Sequence, residues 1–450
     1  MSLRRRPVAA AAVAILAFAT GAMAGPVRTP TVDRAGAAVA DFHATPEPGS
    51  IPEPGATPEP SGGPPTPGPE VPPDPEPPRD DGSLAVGITE PNPNLIWPAA
   101  IRPVPDAFAP WRDAVDELRP HFYRLQLDWS QLQPRPDAPL SADRTEAGCL
   151  RDRLPCAPWL GLREQLGALA ARQAEGGWET VVTISGTPAW AAREAHGCER
   201  AGTGPRSRMP RRDALDQYRR MIGEVLALAA ETGAELRWWN AWNEPNHPYF
   251  LSPQRLDCDP ESPSRSVPVY LDLHAALEEA LTEAPGDQRR VLGDLAGIDN
   301  SREDVVSVAD FIAELPRDVV CATPVWAQHS YLAPRNDARA ARRALATHDC
   351  PVLHQIWVTE TGARNAASDP EPYRRCRSMN ARMRVWRADP QVTVAFQYTV
   401  REDDRFPYGL VTTDLTAAYP ILRMWQAWGG GARPLASDPP PDTVEVCPES

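Results

Sequence analysis

From residue 84 onward the chain alternates between two hydrophobic rhythms. Short apolar runs bounded by Gly, Pro or Asp read as buried strands at 84–88, 122–127, 180–185, 236–242, 290–295, 324–329, 355–358 and 392–398. Between them, apolar residues recur at three- and four-residue spacing, the mark of amphipathic helices, at 109–118, 159–174, 212–231, 270–281, 305–315, 338–346, 373–387 and 417–428. Several of the strands are apolar throughout, as expected for strands covered on both faces of a parallel sheet. Eight strands alternating with eight helices over about 345 residues predict an α/β chain folded as a (β/α)8 TIM barrel. The rival is an open doubly wound sheet, but no Gly-rich phosphate fingerprint opens the first helix.

Two of the strands end in carboxylates. The fourth runs LRWWNAWNEPN, in which Pro245 lacks an N–H and stops the pairing, leaving Glu244 among indoles at the strand end. Burial there is expected to raise the pKa of Glu244, as a general acid near neutral pH requires. The seventh strand runs QIWVTETG and carries Glu360. Active sites of this fold lie at the C-terminal ends of the strands. Two carboxylates converging there suit a retaining glycosidase, in which one protonates the leaving oxygen and the other attacks the anomeric carbon, about 5–5.5 Å apart.

Composition adds the compartment and narrows the partners. Of the 450 residues 54 are Pro, against a norm of roughly 5%, and 15 of them crowd into PEPG, PEPGATPEP, PPTPGPE and PPDPEPP repeats at 45–79. Such a segment cannot bury a core and reads as a disordered, polyproline-like spacer reaching on the order of 100 Å, either a tether from a cell surface or a leader with no role of its own. Before it, Arg4, Arg5 and Arg6 precede an apolar run at 8–19, and Ala22-Met23-Ala24 offers a cleavage site. This is the layout of a secretory signal, with an uncleaved anchor as the alternative. The expected organisation is therefore a signal peptide at 1–24, a linker at 25–82, a catalytic domain at 83–432 and a tail at 433–450. The protein is expected to be secreted or tethered at the cell surface, with no membrane insertion after signal cleavage, and monomeric. A formal charge of −14 argues against nucleic acid as a partner. Eight Cys in an exported chain read as disulfides. Eight allow 105 pairings, which the sequence does not fix; the local choices are Cys149 with Cys156, Cys198 with Cys258, Cys321 with Cys350 and Cys376 with Cys447, with free buried thiols the alternative.

With Trp242-Asn243-Glu244-Pro245 on the fourth strand and VTETG on the seventh, the chain at 84–429 resembles clan A of the retaining glycoside hydrolases. In detail it looks most like the β-xylosidase/α-iduronidase branch and nearby cellulase-like families, through Thr187-Pro188-x-Trp190-Ala191 and Tyr408-Gly409-Leu410-Val411. The resemblance implies a carbohydrate substrate and no cofactor or metal. It casts Glu244 as acid/base, Glu360 as nucleophile and Asn243 as a hydrogen-bond partner of the sugar 2-hydroxyl. It also makes Tyr331, in QHSY, a partner of the nucleophile, His329 a companion in that motif, and Arg124, in YRLQLDW, a cation lowering the nucleophile's pKa. Two places depart from the pattern: Phe396-Gln397-Tyr398 stands where a platform Trp is usual, and Gly293-Asp294-Leu295 ends the fifth strand in a form with no assignment.

Each residue also has a bland reading. The carboxylates and Arg124 are open to being structural ion pairs, and His329 a satisfied core histidine. Trp129, Trp190, Trp242 and Tyr398 suit stacking on sugar rings or simple core packing, whereas Trp238 and Trp239 read as core. His247 and Tyr249 line subsites or scaffold the loop. For the whole chain, the alternatives to a hydrolase are a non-catalytic carbohydrate-binding or structural barrel and a transglycosylase.

Overall fold

The structure, a computed structural model, describes residues 84–98, 101, 104–143, 161–200, 202–331, 338–365, 372–402, 406–429 and 440–448. The signal and linker segments and the Cys149 and Cys156 pair lie outside the described residues. In chain order the strands are β1 (Ala85–Thr89), β2 (Phe122–Asp128), β3 (Glu179–Ser185), β4 (Trp238–Asn240), β5 (Arg289–Leu295), β6 (Val325–His329), β7 (Gln355–Thr361) and β8 (Val392–Tyr398). They form a closed parallel barrel in sequence order, β1 pairing with β8 to shut it. The helices are α1 (Ala109–Leu118), α2 (Trp129–Leu132), α3 (Gly161–Glu175), α4 (Leu215–Thr232), α5 (Ser266–Glu283), α6 (Val308–Ala313), α7 (Arg317–Ala322), α8 (Arg339–Ala346), α9 (Pro372–Ala388), α10 (Ile421–Gly429) and α11 (Thr443–Val446).

Strand parity sorts the side chains into two cores. Ala85, Phe122, Val181, Val291, Val325, Ala327, Trp357, Val394 and Phe396 fill the barrel interior, with Trp238 packed against them. Trp238 stacks edge-on with Trp357 at 4.8 Å. Gly87 is needed here, because a Cβ at that position would run into the Phe396 ring. The intervening residues, Val86, Ile88, Leu125, Val182, Trp239 and Leu292 among them, face the helices and build the larger outer core.

Most elements fall where the hydrophobic rhythm places them, and the departures have local causes. β4 spans three residues, not seven, because the Asn240 amide intervenes: it accepts from Trp242 N and donates to Val291 O. α10 begins at Ile421, after Pro420, and 417–420 form a turn bridged to the chain at Val411. α2, α7 and α11 are additional to the expected helices. Three of the expected disulfides are formed, Cys198–Cys258, Cys321–Cys350 and Cys376–Cys447, the last tying the C-terminal segment with α11 to α9.

Candidate active site

At the C-terminal mouth of the barrel, residues from six strands, β2 to β7, or their following loops meet in one buried network. Arg124 points inward from β2, two positions after the interior residue Phe122, as parity requires. Its guanidinium is wholly buried and fully engaged on one side: Nη1 donates to Glu360 Oε1 at 2.5 Å, and Nη2 donates to Asn243 Oδ1 at 2.6 Å and Asp294 Oδ2 at 2.8 Å. Burial would lower its pKa, but Asp294 and Glu360 hold it above the ordinary arginine range. The bond to Arg124 fixes the Asn243 amide with its oxygen inward, so its Nδ2 is the group left to face a ligand. Glu360 also accepts from Tyr331 Oη at 2.8 Å and from Gln126 Nε2 at 3.3 Å.

Glu244 does not sit on a strand end, as the sequence suggested. It lies four residues beyond β4 with φ of 43°, in left-handed backbone, and two hydrogen bonds hold this stretch: Asn243 N to Ile184 O at 2.8 Å on one side and Glu244 N to Asp294 O at 2.9 Å on the other. The expectation for its acidity is also corrected. Burial does push the Glu244 pKa up, but His329, whose Nδ1 is 2.6 Å from Glu244 Oε1, overrides it and the net shift is downward.

His329, from the end of β6, is the common neighbour of three carboxylates. Its Nδ1 faces Glu244 at 2.6 Å and Glu360 at 3.4 Å, and its Nε2 faces Asp294 at 3.3 Å. Burial opposes its charge, but Glu360, Asp294 and Glu244 together raise its pKa to about 10. A carboxylate oxygen of Glu244, one of Glu360 and a ring nitrogen of His329 lie within 4.8 Å of one another. A protonated imidazole has no lone pair for a cation, so this trio suits acid–base work better than metal ligation. Side-chain exposure is 16% for Glu244 and 8% for Glu360 but 1% or less for Arg124, Asp294 and His329. The two glutamates therefore face the opening and the rest supports them from beneath.

Asp294 is the member the sequence did not assign. It is buried and accepts from Arg124, from Thr183 Oγ1 at 2.8 Å and from Thr359 Oγ1 at 2.5 Å. Burial would raise its pKa, yet Arg124 and His329 hold it well below the usual carboxylate range. For Asp294, an acidic residue inside an otherwise apolar strand, VLGDLAG, was the available signal. Gln126, another inward position of β2, carries no sequence signal of its contact with Glu360.

The aromatic residues divide. Trp129 is wholly buried, its ring edge-on to Trp190 at 5.7 Å and to Tyr218 at 5.3 Å, so it offers no face to a sugar. Trp242 is likewise buried, donating from Nε1 to Phe250 O at 2.8 Å. Both are core residues, correcting the reading as stacking platforms: each indole is packed into the outer core rather than facing the opening. Trp190 is half-buried and donates to Gln133 O at 2.9 Å. Tyr398 is half-buried beside Phe406 at 5.3 Å, and Tyr331 packs on Phe406 and Tyr408 at 5.1 and 4.9 Å, making one aromatic wall next to Glu360. His247 is buried and its pKa falls to about 4, chiefly through burial, so it is neutral near pH 7.

No family model and no curated protein matches the sequence. Among solved structures, the chain is similar to SrfJ from Salmonella typhimurium, with a TM-score of 0.51 and 10% identity over 77% of this chain and 74% of that one. It is similar to a monomeric β-xylosidase from Caulobacter crescentus CB15, with a TM-score of 0.49 and 15% identity over 78% of this chain and 68% of that one. A GH30 endoxylanase from Clostridium papyrosolvens C71 follows with a TM-score of 0.47 and 11% identity over 78% and 73%. At these identities the likeness is one of fold, the (β/α)8 barrel described above.

Proposed function

We propose that this chain is a secreted retaining glycoside hydrolase that cleaves O-glycosidic bonds, on a β-linked glycan or oligosaccharide, by double displacement. The observation that carries the reading is the placement of the Glu244 and Glu360 carboxylate oxygens within 4.8 Å of each other at the mouth of the barrel. With one oxygen of each inside that limit, the pair supports the roughly 5–5.5 Å spacing of retaining enzymes over the roughly 6.5–9.5 Å of inverting ones, which must admit a water between the carboxylates.

In this reading Glu360 attacks the anomeric carbon while Glu244 delivers a proton to the departing oxygen. Water, deprotonated by Glu244, then releases the sugar from Glu360. Arg124, Tyr331 and Gln126 fix the nucleophile's oxygens by hydrogen bonds at 2.5, 2.8 and 3.3 Å. Asn243 Nδ2 is positioned to donate to the 2-hydroxyl, and Trp190 and Tyr398 are the aromatic surfaces left for sugar rings. Export is supported by the N-terminal layout and by three disulfides among the described residues. No helix among the described residues is long and apolar enough to cross a membrane.

The test is reducing-sugar release from plant, fungal and bacterial glycans and aryl glycosides, with Glu360→Ala and Glu244→Gln beside wild type. Turnover by wild type is expected to fall by about 10³-fold or more in each variant, with azide restoring cleavage in Glu360→Ala. Near wild-type activity in either folded variant removes that residue from the chemistry. Binding of a glycan without turnover would favour a carbohydrate-binding protein.

A further inference from the structure

We infer that Asp294 is a positioning residue that keeps the leaving-group proton on His329, so that the resting acid is the His329–Glu244 pair rather than Glu244 alone. The inference rests on the glycosidase reading and concerns the same site.

The geometry carries it. Nε2 of His329 has two polar neighbours, Asp294 Oδ1 at 3.3 Å and Arg124 Nη2 at 3.4 Å. Arg124 Nη2 has two hydrogens, and both are already given to Asn243 and Asp294 at 2.6 and 2.8 Å. Nε2 therefore has no donor to accept from and gives its own hydrogen to Asp294. On the other side Nδ1 faces Glu244 at 2.6 Å and Glu360 at 3.4 Å, both acceptors when ionised. An imidazole whose two nitrogens face three carboxylates across a buried site is best satisfied with both nitrogens protonated. The groups facing the ring are Glu244 from the loop after β4, Asp294 from β5, Glu360 from β7 and Arg124 from β2, with Tyr331 and His247 beyond the two glutamates. Direction agrees with geometry: the His329 pKa rises to about 10 against the cost of burial, and that of Glu244 moves down.

Asp294 is built for this task. β5 alternates inward and outward until Gly293, where φ is 92°, and Asp294, where φ is 62°, break the register with β6. Leu292 and Leu295 both face the helices, so the bulge turns toward the barrel axis a residue that regular alternation would point outward. The same residue's carbonyl holds the Glu244 N–H at 2.9 Å. One bulge thus sets both the backbone of the acid and the charge of its partner.

The proton balance is simple. In the first step the bond from the anomeric carbon to the leaving oxygen breaks and the bond to Glu360 forms. The proton passes from His329 Nδ1 to Glu244 Oε1 and on to the leaving oxygen. In the second step water replaces Glu360 at the anomeric carbon, and its proton returns through Glu244 to His329.

Nitrogen-15 NMR of the histidines in the full-length wild type, with His329 assigned by the resonances missing in His329→Gln, reads the proton directly. Both ring nitrogens of His329 are expected to be protonated from pH 5 to 8; an unprotonated ring nitrogen at pH 7 overturns the inference. In Asp294→Asn an amide replaces the acceptor facing Nε2. His329 is then expected to be neutral at pH 7, with the basic limb of kcat/KM moved down by at least one pH unit. A folded Asp294→Asn enzyme with an unmoved basic limb contradicts the assignment, because a merely structural residue would lower activity without shifting that limb. Should Asp294→Asn not fold, the wild-type spectrum decides alone. It needs no substrate, so absence of glycan turnover would defeat the hydrolase reading while leaving the histidine result to stand or fall separately.

Discussion

Tyr331 shows how much a single hydroxyl is asked to do. Its ring is held by Phe406 and Tyr408, and its Oη donates to Glu360 Oε2 at 2.8 Å. Burial and the adjacent carboxylate push its pKa well above that of an ordinary phenol, so it remains a donor throughout the working range. Tyr331→Phe keeps the packing and deletes the bond. A hydrogen bond to a charged group contributes about 1.5–3 kcal/mol, so kcat is expected to fall about 10- to 100-fold, with a drop of only a few degrees in melting temperature. Steady-state kinetics beside a thermal melt checks this, and an unaltered kcat would show that the proposed role of Glu360 does not depend on the tyrosine. Arg124 is a harder case, since its removal takes from Asp294 and Glu360 the guanidinium that both accept from, a loss of about 3–5 kcal/mol.

At the scale of elements, what could be read from the chain and what could not divide on strand parity. Arg124 follows Phe122 by two on a regular strand, so an inward arginine was legible, as was His329 two after Ala327 on β6. Asp294 was not, because parity puts it among the helices and only the bulge at Gly293 brings it in. Glu360 was found through its motif rather than its parity. Trp357 and Thr359 point inward and Thr361 packs on Met379 of α9, so a register shift between Val358 and Thr361 is what turns Glu360 to the mouth. Trp129 and Trp242 failed as platforms because an indole beside a strand end serves the core as readily as a ligand, and composition does not distinguish the two. The bulge itself is open to test. A Cβ on Gly293 would lie 2.6 Å from Ala327 O and 2.9 Å from the Trp326 ring, on backbone with φ of 92°. Gly293→Ala is therefore expected to destabilise by about 1–3 kcal/mol and to lower kcat through displacement of Asp294. A melt and a rate measured on the same preparation decide it, and a stable variant of full activity would mean that the bulge is not required.

Across the whole molecule, the barrel closes at the seam between β1 and β8. Glu90, just past β1, is buried there and accepts from Asn92 N at 2.9 Å and from Arg401 N at 2.9 Å, while its carbonyl takes the Tyr123 hydroxyl. Burial raises its pKa to about 7, the backbone donors only partly offsetting it. The sign follows from linkage: between about pH 4.5 and 7 the folded state holds a proton that the unfolded chain has lost, so stability declines as pH rises through that window. Thermal melts at pH 5 and pH 8 are expected to show a smaller drop in Glu90→Gln than in wild type; an equal drop would assign the pH dependence elsewhere. The most direct test of the double-displacement reading is to trap its intermediate. Wild-type enzyme is incubated with the 2-deoxy-2-fluoro aryl glycoside of whichever sugar the activity panel identifies, digested, and mapped by mass spectrometry. The account predicts one added fluorosugar on the peptide containing Glu360, and none when Glu360 is Ala. A label on another residue, or a first product of inverted anomeric configuration, would contradict it.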